Sequence, residues 1–170
     1  MKIYIIGPSC VGKTTLARKL SRKIRVKSID LDSIFIDLER LKKDKSFEFV
    51  SPKDYRSRID EILKTDKWIV EGVYPVEKIF ESADIIVCLR RCLLMPLVWQ
   101  WKRYITDKSQ RKKFGFRNNL SLSRDIIRQY FERCDNSRID EPTYFSNKKL
   151  AVWLERYKDK VREIKELDLI

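Results

Sequence analysis

The chain contains no histidine, and none of its four cysteines (10, 88, 92 and 134) belongs to a C-x-x-C pair. A zinc site of the usual Cys/His kind would need all four scattered thiols, so none is expected. Serine or cysteine triads with a histidine base are excluded as well. A general base in this chain must therefore be a carboxylate, a lysine or a water molecule. The cysteines are expected to be reduced and to pack as small hydrophobic residues.

Long apolar runs, linkers and internal repeats are also lacking. The longest apolar stretches flank Arg90 and Arg91, and each falls short of the about 18 residues that span a bilayer. Met1 and Lys2 lead directly into an apolar segment, which does not fit a signal peptide. We therefore expect no membrane association and a cytoplasmic location. With 170 residues, the chain is expected to form one domain over 1–170.

Basic residues are in large excess, 38 against 25 acidic ones, for a net charge of +13. An excess of this size predicts an anionic partner such as a nucleotide or a nucleic acid. The segment 102–128 alone holds nine Lys/Arg and two acids. This local density singles the segment out for a role beyond solvation.

Apolar segments of two periodicities alternate along the chain. Strands are predicted at 2–6, 26–31, 68–72 and 84–89, with a possible fifth at 143–146. Helices are predicted at 12–24, 33–43, 51–63, 97–105 and about 148–167. Ser51 followed by Pro52 is typical of a helix start. This alternation predicts an α/β fold, a parallel sheet covered on both faces, whose ligand lies at the carboxyl ends of the strands.

Residues 7–14, GPSCVGKT, satisfy the phosphate-loop pattern G-x-x-x-x-G-K-[ST]. Gly7 and Gly12 permit the turns that aim backbone N–H groups at one anion. Lys13 is predicted to bind the β- and γ-phosphates of ATP, and the Thr14 hydroxyl to ligate Mg²⁺. The predicted nucleotide-binding residues are Gly7, Pro8, Ser9, Cys10, Val11, Gly12, Lys13, Thr14 and Thr15.

Among phosphate-loop proteins, the remaining motifs favour a kinase. A GTPase switch needs an aspartate three residues before a glycine, and no glycine here has one. Motor ATPases usually end an apolar strand with an acidic residue, whereas DIIVCLRR ends in arginines. Asp30 and Asp32 form a D-x-D pair whose side chains share one side of an extended segment. Asp30 is the predicted metal ligand and Asp32 the group that orients or deprotonates an acceptor hydroxyl, the alternative being that either one caps the helix beginning near Ser33.

The basic segment 102–128 is the predicted lid. Phosphoryl transfer needs cations around the moving phosphate and exclusion of water, and a closing arm with arginines supplies both. Arg103 is the predicted catalytic arginine, and Gly115 a flexible point. Weaker candidates are Arg111, Arg117, Arg124 and Arg128.

Four segments together, GPSCVGKTTLARKL, IDLDSIF, DKWIVEGVY and ADIIVCL, resemble the adenylate-kinase-like proteins known as DNA topology modulation proteins. The resemblance covers roughly residues 1–105. It implies a nucleoside monophosphate kinase-like fold with ATP as donor, and it brings Asp32, Gly72 and Tyr74 near the acceptor. Phe35 lies in the segment 32–50 that would line the acceptor pocket together with 72–78. The chain departs from the family at Arg90 and Trp99, where an aspartate and an arginine are common.

Two functions remain open at this point. The first is a kinase that transfers the γ-phosphate of Mg-ATP to an unidentified small molecule or nucleotide. The second is a nucleic-acid-binding, ATP-dependent protein or polynucleotide kinase, favoured by the charge and by Phe114, Phe116 and Tyr130 among basic residues. An ATPase or nucleotide sensor without transfer is a third, weaker possibility.

Overall fold

The computed structural model describes residues 1–35, 50–107, 116–131 and 147–164. Its centre is a five-stranded, all-parallel sheet in the order β2-β3-β1-β4-β5. The strands are β1 Lys2–Ile6, β2 Ser28–Asp30, β3 Trp68–Gly72, β4 Ile85–Leu89 and β5 Val161–Ile164.

Seven α-helices surround the sheet in the described ranges. They are α1 Lys13–Ile24, α2 Asp32–Phe35, α3 Pro52–Leu63, α4 Glu77–Ser82, α5 Leu94–Thr106, α6 Phe116–Phe131 and α7 Asn147–Arg156. A short 3₁₀ helix, Lys158–Lys160, precedes β5. None of the described helices is both long enough and apolar enough to cross a bilayer.

Side chains of the central strand alternate between two cores. Ile3 and Ile5 pack with Leu16 and Ala17 of α1 on one face. Tyr4 and Ile6 of β1 point to the opposite face, where α3, α4 and α7 contribute to the core. This alternation is the period of two expected of a strand. It gives three layers and confirms the predicted α/β fold with a parallel sheet covered on both faces.

The predicted helix start at Ser51 is also confirmed. The Ser51 hydroxyl accepts a hydrogen bond from the Asp54 N–H at 3.2 Å, and Pro52 is the first helical residue. A cap of this kind satisfies one of the backbone donors that the first helical turn leaves without a partner.

The predicted helix over about 148–167 is wrong over 157–164, and 165–167 lie outside the described residues. Helix α7 ends at Arg156, and Val161–Ile164 forms strand β5 along the edge of β4, with Val161 beside Ile86. Without β5, one side of β4 would leave its ladder of N–H and C=O groups unpaired. A local helical pattern cannot reveal that long-range gain. The possible strand at 143–146 lies outside the described residues, as does most of the predicted helix 33–43.

The carboxyl ends of the strands set the position of the site. The phosphate loop follows β1, Asp32 follows β2, Val73 follows β3 and Arg90 follows β4. Because the strands are parallel, these segments share one edge of the sheet. The predicted lid, about 102–128, is described in part, and its role stays a prediction, as does the expected single domain.

Gly72 gives a test of how tightly this edge is packed. A Cβ at Gly72 would lie 2.8 Å from the Leu31 Cβ, and Leu31 is fully buried. We expect Gly72→Ala to lower the free energy of unfolding by about 1–3 kcal/mol, because the neighbour has no room to move. Urea denaturation measures the change, with exposed Ser57→Ala as a control expected to be near neutral. An unchanged midpoint for Gly72→Ala would contradict this packing.

Candidate functional site

The phosphate loop has the backbone of an anion cradle. Cys10 and Gly12 both adopt left-handed conformations, with φ of 60° and 100°. At Gly7, any Cβ would collide with the carbonyl oxygen of Leu89, so only glycine fits there. Alternating left- and right-handed residues turn successive N–H groups to one side. The loop then leads into the N-terminus of α1, which favours anions.

Within the predicted nucleotide-binding residues, exposure varies. Gly7, Pro8, Val11 and Lys13 are buried, Ser9, Cys10 and Gly12 are half-buried, and Thr14 and Thr15 are exposed. The exposed members lie at the start of α1, on the open side of the loop.

Lys13 brings a positive charge into the protein. Its side chain is 6% exposed, and its ammonium donates a hydrogen bond to the Pro8 carbonyl oxygen at 2.8 Å. Burial lowers the pKa of Lys13, and the negative charge of Asp32, then Glu71, opposes that change. The ammonium thus bonds to one carbonyl oxygen and lies near enough to two carboxylates to feel their charge.

The sequence placed Glu71 at the carboxyl edge of the sheet but predicted no metal-binding, catalytic or substrate-binding role for it, yet it is central to the site. It is 4% exposed, within β3, and accepts a hydrogen bond from the Thr14 hydroxyl. Strand pairing places it beside Asp30 of β2 and Ile5 of β1. Burial raises the pKa of Glu71, and the Thr14 bond and the Lys13 charge oppose that rise. A glutamate in the otherwise apolar strand WIVEG was the signal in the sequence.

Asp30 and Asp32 occupy the two sides of a tight turn after β2. The Asp30 Oδ1 accepts the Asp32 N–H at 2.9 Å, which is the capping role considered as the alternative. The Asp32 Oδ1 accepts the Val73 N–H at 3.4 Å and thereby reaches the end of β3. Burial raises the pKa of Asp32, Asp30 adds to the rise, and the Lys13 charge opposes it.

These groups suit a magnesium ion more than a metal bound by protein alone. Across the described ranges, no three His, Cys, Asp or Glu side chains gather as a metal site. Mg²⁺ usually takes one or two carboxylates and completes its shell with water and phosphate oxygens. The Thr14 hydroxyl bonded to Glu71, with Asp30 beside Glu71, is a donor set of that kind.

The predicted acceptor residues lie around Asp32, with different exposures. Phe35 is 1% exposed, and its ring packs 5.1 Å from that of Tyr55 and 5.5 Å from that of Tyr74. Gly72 is buried against Leu31. Tyr74 is half-buried, whereas Phe35 and Gly72 are buried. Of these three residues, Tyr74 is therefore the best placed to contact an acceptor. Burial, then the Asp32 charge, raises the pKa of Tyr74 to about 12.

Arg103 lies on α5 and is exposed. It is near enough to the loop to lower the pKa of the Cys10 thiol, although burial raises that pKa by more. Arg124 and Arg128 are exposed on α6. Arg111, Gly115 and the side chain of Arg117 lie outside the described residues.

Helix α6 is fastened to α5 by a buried polar group of three residues. The Gln100 Nε2 donates to the Asn119 carbonyl oxygen at 2.6 Å and to its Oδ1 at 3.0 Å. The Ser123 hydroxyl donates to the Gln100 Oε1 at 3.2 Å. This network holds the second half of the basic segment against the helix that carries Arg103.

Comparison with known proteins adds a structural likeness. No protein-family model matches the chain, and no curated protein matches it. The crystal structure of shikimate kinase from Bacteroides thetaiotaomicron is similar over 94% of this chain and 96% of that one, with 17% identity and a TM-score of 0.46. A likeness of that degree transfers no residue role or substrate. Membership of the DNA topology modulation family is not shown.

Because the pKa of Glu71 is raised, we expect Glu71→Gln to increase the free energy of unfolding in a pH-dependent way. The measurement uses ligand-free protein in the presence of a chelator. A raised pKa means that folding disfavours the carboxylate, so the wild type loses stability as pH rises above the unfolded value of 4.5. Glutamine has no charge to bury and keeps an oxygen for Thr14. We therefore expect Glu71→Gln to be the more stable protein near neutral pH, and the difference to disappear below pH 4.5. Urea unfolding at several pH values measures this.

The control is Glu61→Gln on α3, where the glutamate is exposed. Its unfolding free energy should follow that of the wild type across the same range. A destabilised Glu71→Gln near neutral pH would contradict the prediction and mean that Lys13 needs the Glu71 charge.

Proposed function

We propose that the chain is an ATP-dependent phosphotransferase, a kinase that moves the γ-phosphoryl group of Mg-ATP to a hydroxyl of a small-molecule or nucleotide acceptor. The observation that carries this proposal is one crevice holding the phosphate loop, the buried Lys13 ammonium, the Thr14–Glu71 pair and Asp32. These are the donor-binding, metal-binding and acceptor-orienting groups that phosphoryl transfer requires.

The phosphate loop is the proposed binding site for the phosphates of ATP, the donor. Its converging N–H groups and the start of α1 attract the β- and γ-phosphates. In the absence of ligand, the Lys13 ammonium donates a hydrogen bond to the Pro8 carbonyl oxygen. When ATP binds, the ammonium exchanges that neutral acceptor for phosphate oxygens. Charge-assisted hydrogen bonds of this kind are stronger than bonds to a neutral carbonyl.

Thr14 and Glu71, with Asp30 beside them, are the residues proposed to hold Mg²⁺ directly or through water. When bound, the ion neutralises charge on the β- and γ-phosphates. The Thr14–Glu71 hydrogen bond orients the hydroxyl for this role in advance.

Asp32 is the proposed acceptor-side base. Its carboxylate accepts the proton of the acceptor hydroxyl while the hydroxyl oxygen bonds to the γ-phosphorus of ATP. The bond from that phosphorus to the β–γ bridging oxygen breaks, and ADP leaves with the bonding electrons. Burial raises the pKa of Asp32, which makes its carboxylate a stronger base. Tyr74 borders the acceptor position.

Arg103 and the basic segment 102–128 are the proposed lid. Arginine charge near the γ-phosphate stabilises the negative charge of the transition state. Closure would exclude water and direct the phosphate to the acceptor. The nucleic-acid alternative has no specific contact in its favour among the described residues, and short oligonucleotides belong in the acceptor screen to test it.

Removing the Lys13 charge tests the donor site. We expect Lys13→Ala to reduce acceptor-stimulated ADP release from Mg-ATP by about 100-fold or more, because one preorganised charge at the phosphates is lost. The assay couples ADP release to absorbance over a panel of nucleoside monophosphates, nucleosides, small alcohols and oligonucleotides. Lys19→Ala, an exposed lysine on the same helix, is the matched control and should retain activity. Equal losses in both variants would rule out a phosphate role for Lys13.

Asp32→Asn separates chemistry from nucleotide binding. Loss of a general base costs between about 100- and 10,000-fold in rate, so kcat should fall that far. Mg-ATP binding, measured by calorimetry, should be largely retained because the loop and Lys13 are intact. The control is Asp66→Asn at an exposed position. Near-normal transfer by Asp32→Asn would show that Asp32 is not the acceptor-side base.

Slow ADP release that no acceptor stimulates in the wild type would contradict the proposed kinase.

A further inference from the structure

The last turn of α6 touches the phosphate loop through one side chain. The Ser9 N–H donates to the Gln129 Oε1 at 3.2 Å, and the Gln129 Nε2 donates to the Ser9 Oγ at 3.5 Å. The two residues are 120 positions apart in sequence, so folding alone brings them together. Gln129 belongs to neither the donor nor the acceptor groups described above.

The rest of α6 is fixed elsewhere. The Gln100–Asn119–Ser123 network holds its first half to α5. Next to Gln129, the Tyr130 hydroxyl donates to the Arg91 carbonyl oxygen at 2.8 Å, in the segment that follows β4. Gln129 is thus the point where a helix anchored on other elements reaches the nucleotide loop.

Ser9, the loop residue that Gln129 contacts, lies next to a strained backbone position. Ser9 directly precedes Cys10, whose φ of 60° is left-handed and costs free energy in a residue with a Cβ. Such a conformation persists only where its surroundings enforce it. By holding both the N–H and the hydroxyl of Ser9, Gln129 limits rotation of the chain entering Cys10.

We propose that Gln129 is a positioning residue that couples docking of α6 to phosphate binding in the loop. The loop conformation that Gln129 supports is the one proposed above to bind phosphate. Docking and binding therefore favour each other, and by linkage each strengthens the other by the same factor.

The inference depends on the proposed function only in taking a nucleotide phosphate as the loop's ligand. Mg-ADP and Mg-ATP are the probes, because binding of ADP needs no transfer. Calorimetry gives their dissociation constants, and hydrogen exchange of the α6 amides reports docking, each with and without Mg-ADP. In the wild type, Mg-ADP should slow exchange across 119–131.

Gln129→Met keeps the length of the side chain and removes its hydrogen bonds. A net hydrogen bond is worth a factor of about two to ten, so we expect nucleotide binding to weaken by that factor. The α6 amides should exchange faster by a similar factor without ligand, and the slowing by Mg-ADP should shrink. Ile127→Met places the same new side chain at an exposed position of the same helix and should behave as wild type.

Gln129→Glu distinguishes the hydrogen bond from packing. It keeps an oxygen for the Ser9 N–H but adds a negative charge beside the bound phosphates. Exchange in the ligand-free protein should stay near that of the wild type, while nucleotide binding weakens. If this variant lost protection as Gln129→Met does, the Ser9 hydrogen bond would not be what fixes the last turn of α6 to the loop, and the coupling would be overturned.

The outcomes separate the two proposals. Unchanged binding and exchange in Gln129→Met would overturn the coupling and leave the kinase proposal intact. Tighter nucleotide binding in Gln129→Met would also overturn it, because the contact would then compete with phosphate. A wild type that binds neither nucleotide would reject both proposals. Cooperative urea unfolding of each variant shows that it is folded.

Discussion

The buried ammonium of Lys13 is the interaction on which the rest of the site depends. A charge taken out of water is tolerated only when opposite charge and hydrogen bonds surround it. Here the Pro8 carbonyl accepts its bond, and Asp32 and Glu71 oppose the fall in its pKa. The same burial raises the pKa of both carboxylates, and the ammonium restrains that rise. The crevice is therefore a balance of buried charges in a chain whose net charge is +13.

The parallel sheet decides where those charges meet. Pairing of β2 with β3 sets Asp30 beside Glu71, and pairing of β3 with β1 sets Glu71 beside Ile5, two residues before Gly7. Strand alternation then turns Glu71 to the face covered by α1, where Thr14 lies in the first turn of the helix. A slip of one residue in β3 would move that carboxylate to the opposite core. Register in the sheet is thus a condition for the proposed metal and donor sites.

Local patterns in the sequence predicted most elements of this fold. The first strand, the loop at 7–14, the capped helix at Ser51 and strand β3 each follow from spacing over a few residues. The structure confirms the two strands, the helix and the position of the loop between β1 and α1. The helix predicted at Val161–Ile164 was wrong because this segment gains more from backbone hydrogen bonds to β4 than from those of a local helix. No metal-binding role was predicted for Glu71, because such a role depends on its hydrogen bond with Thr14, a residue in a different segment.

The sequence by itself determined that a loop with the phosphate-loop pattern stands between a buried strand and a helix, because that pattern depends on contiguous residues. It also determined which bases are available, because the chain has no histidine. Only the tertiary structure decided that Glu71 meets Thr14, and that Gln129 reaches Ser9 across 120 residues. Such contacts join side chains from different elements, and their energy depends on burial and register that no single segment encodes.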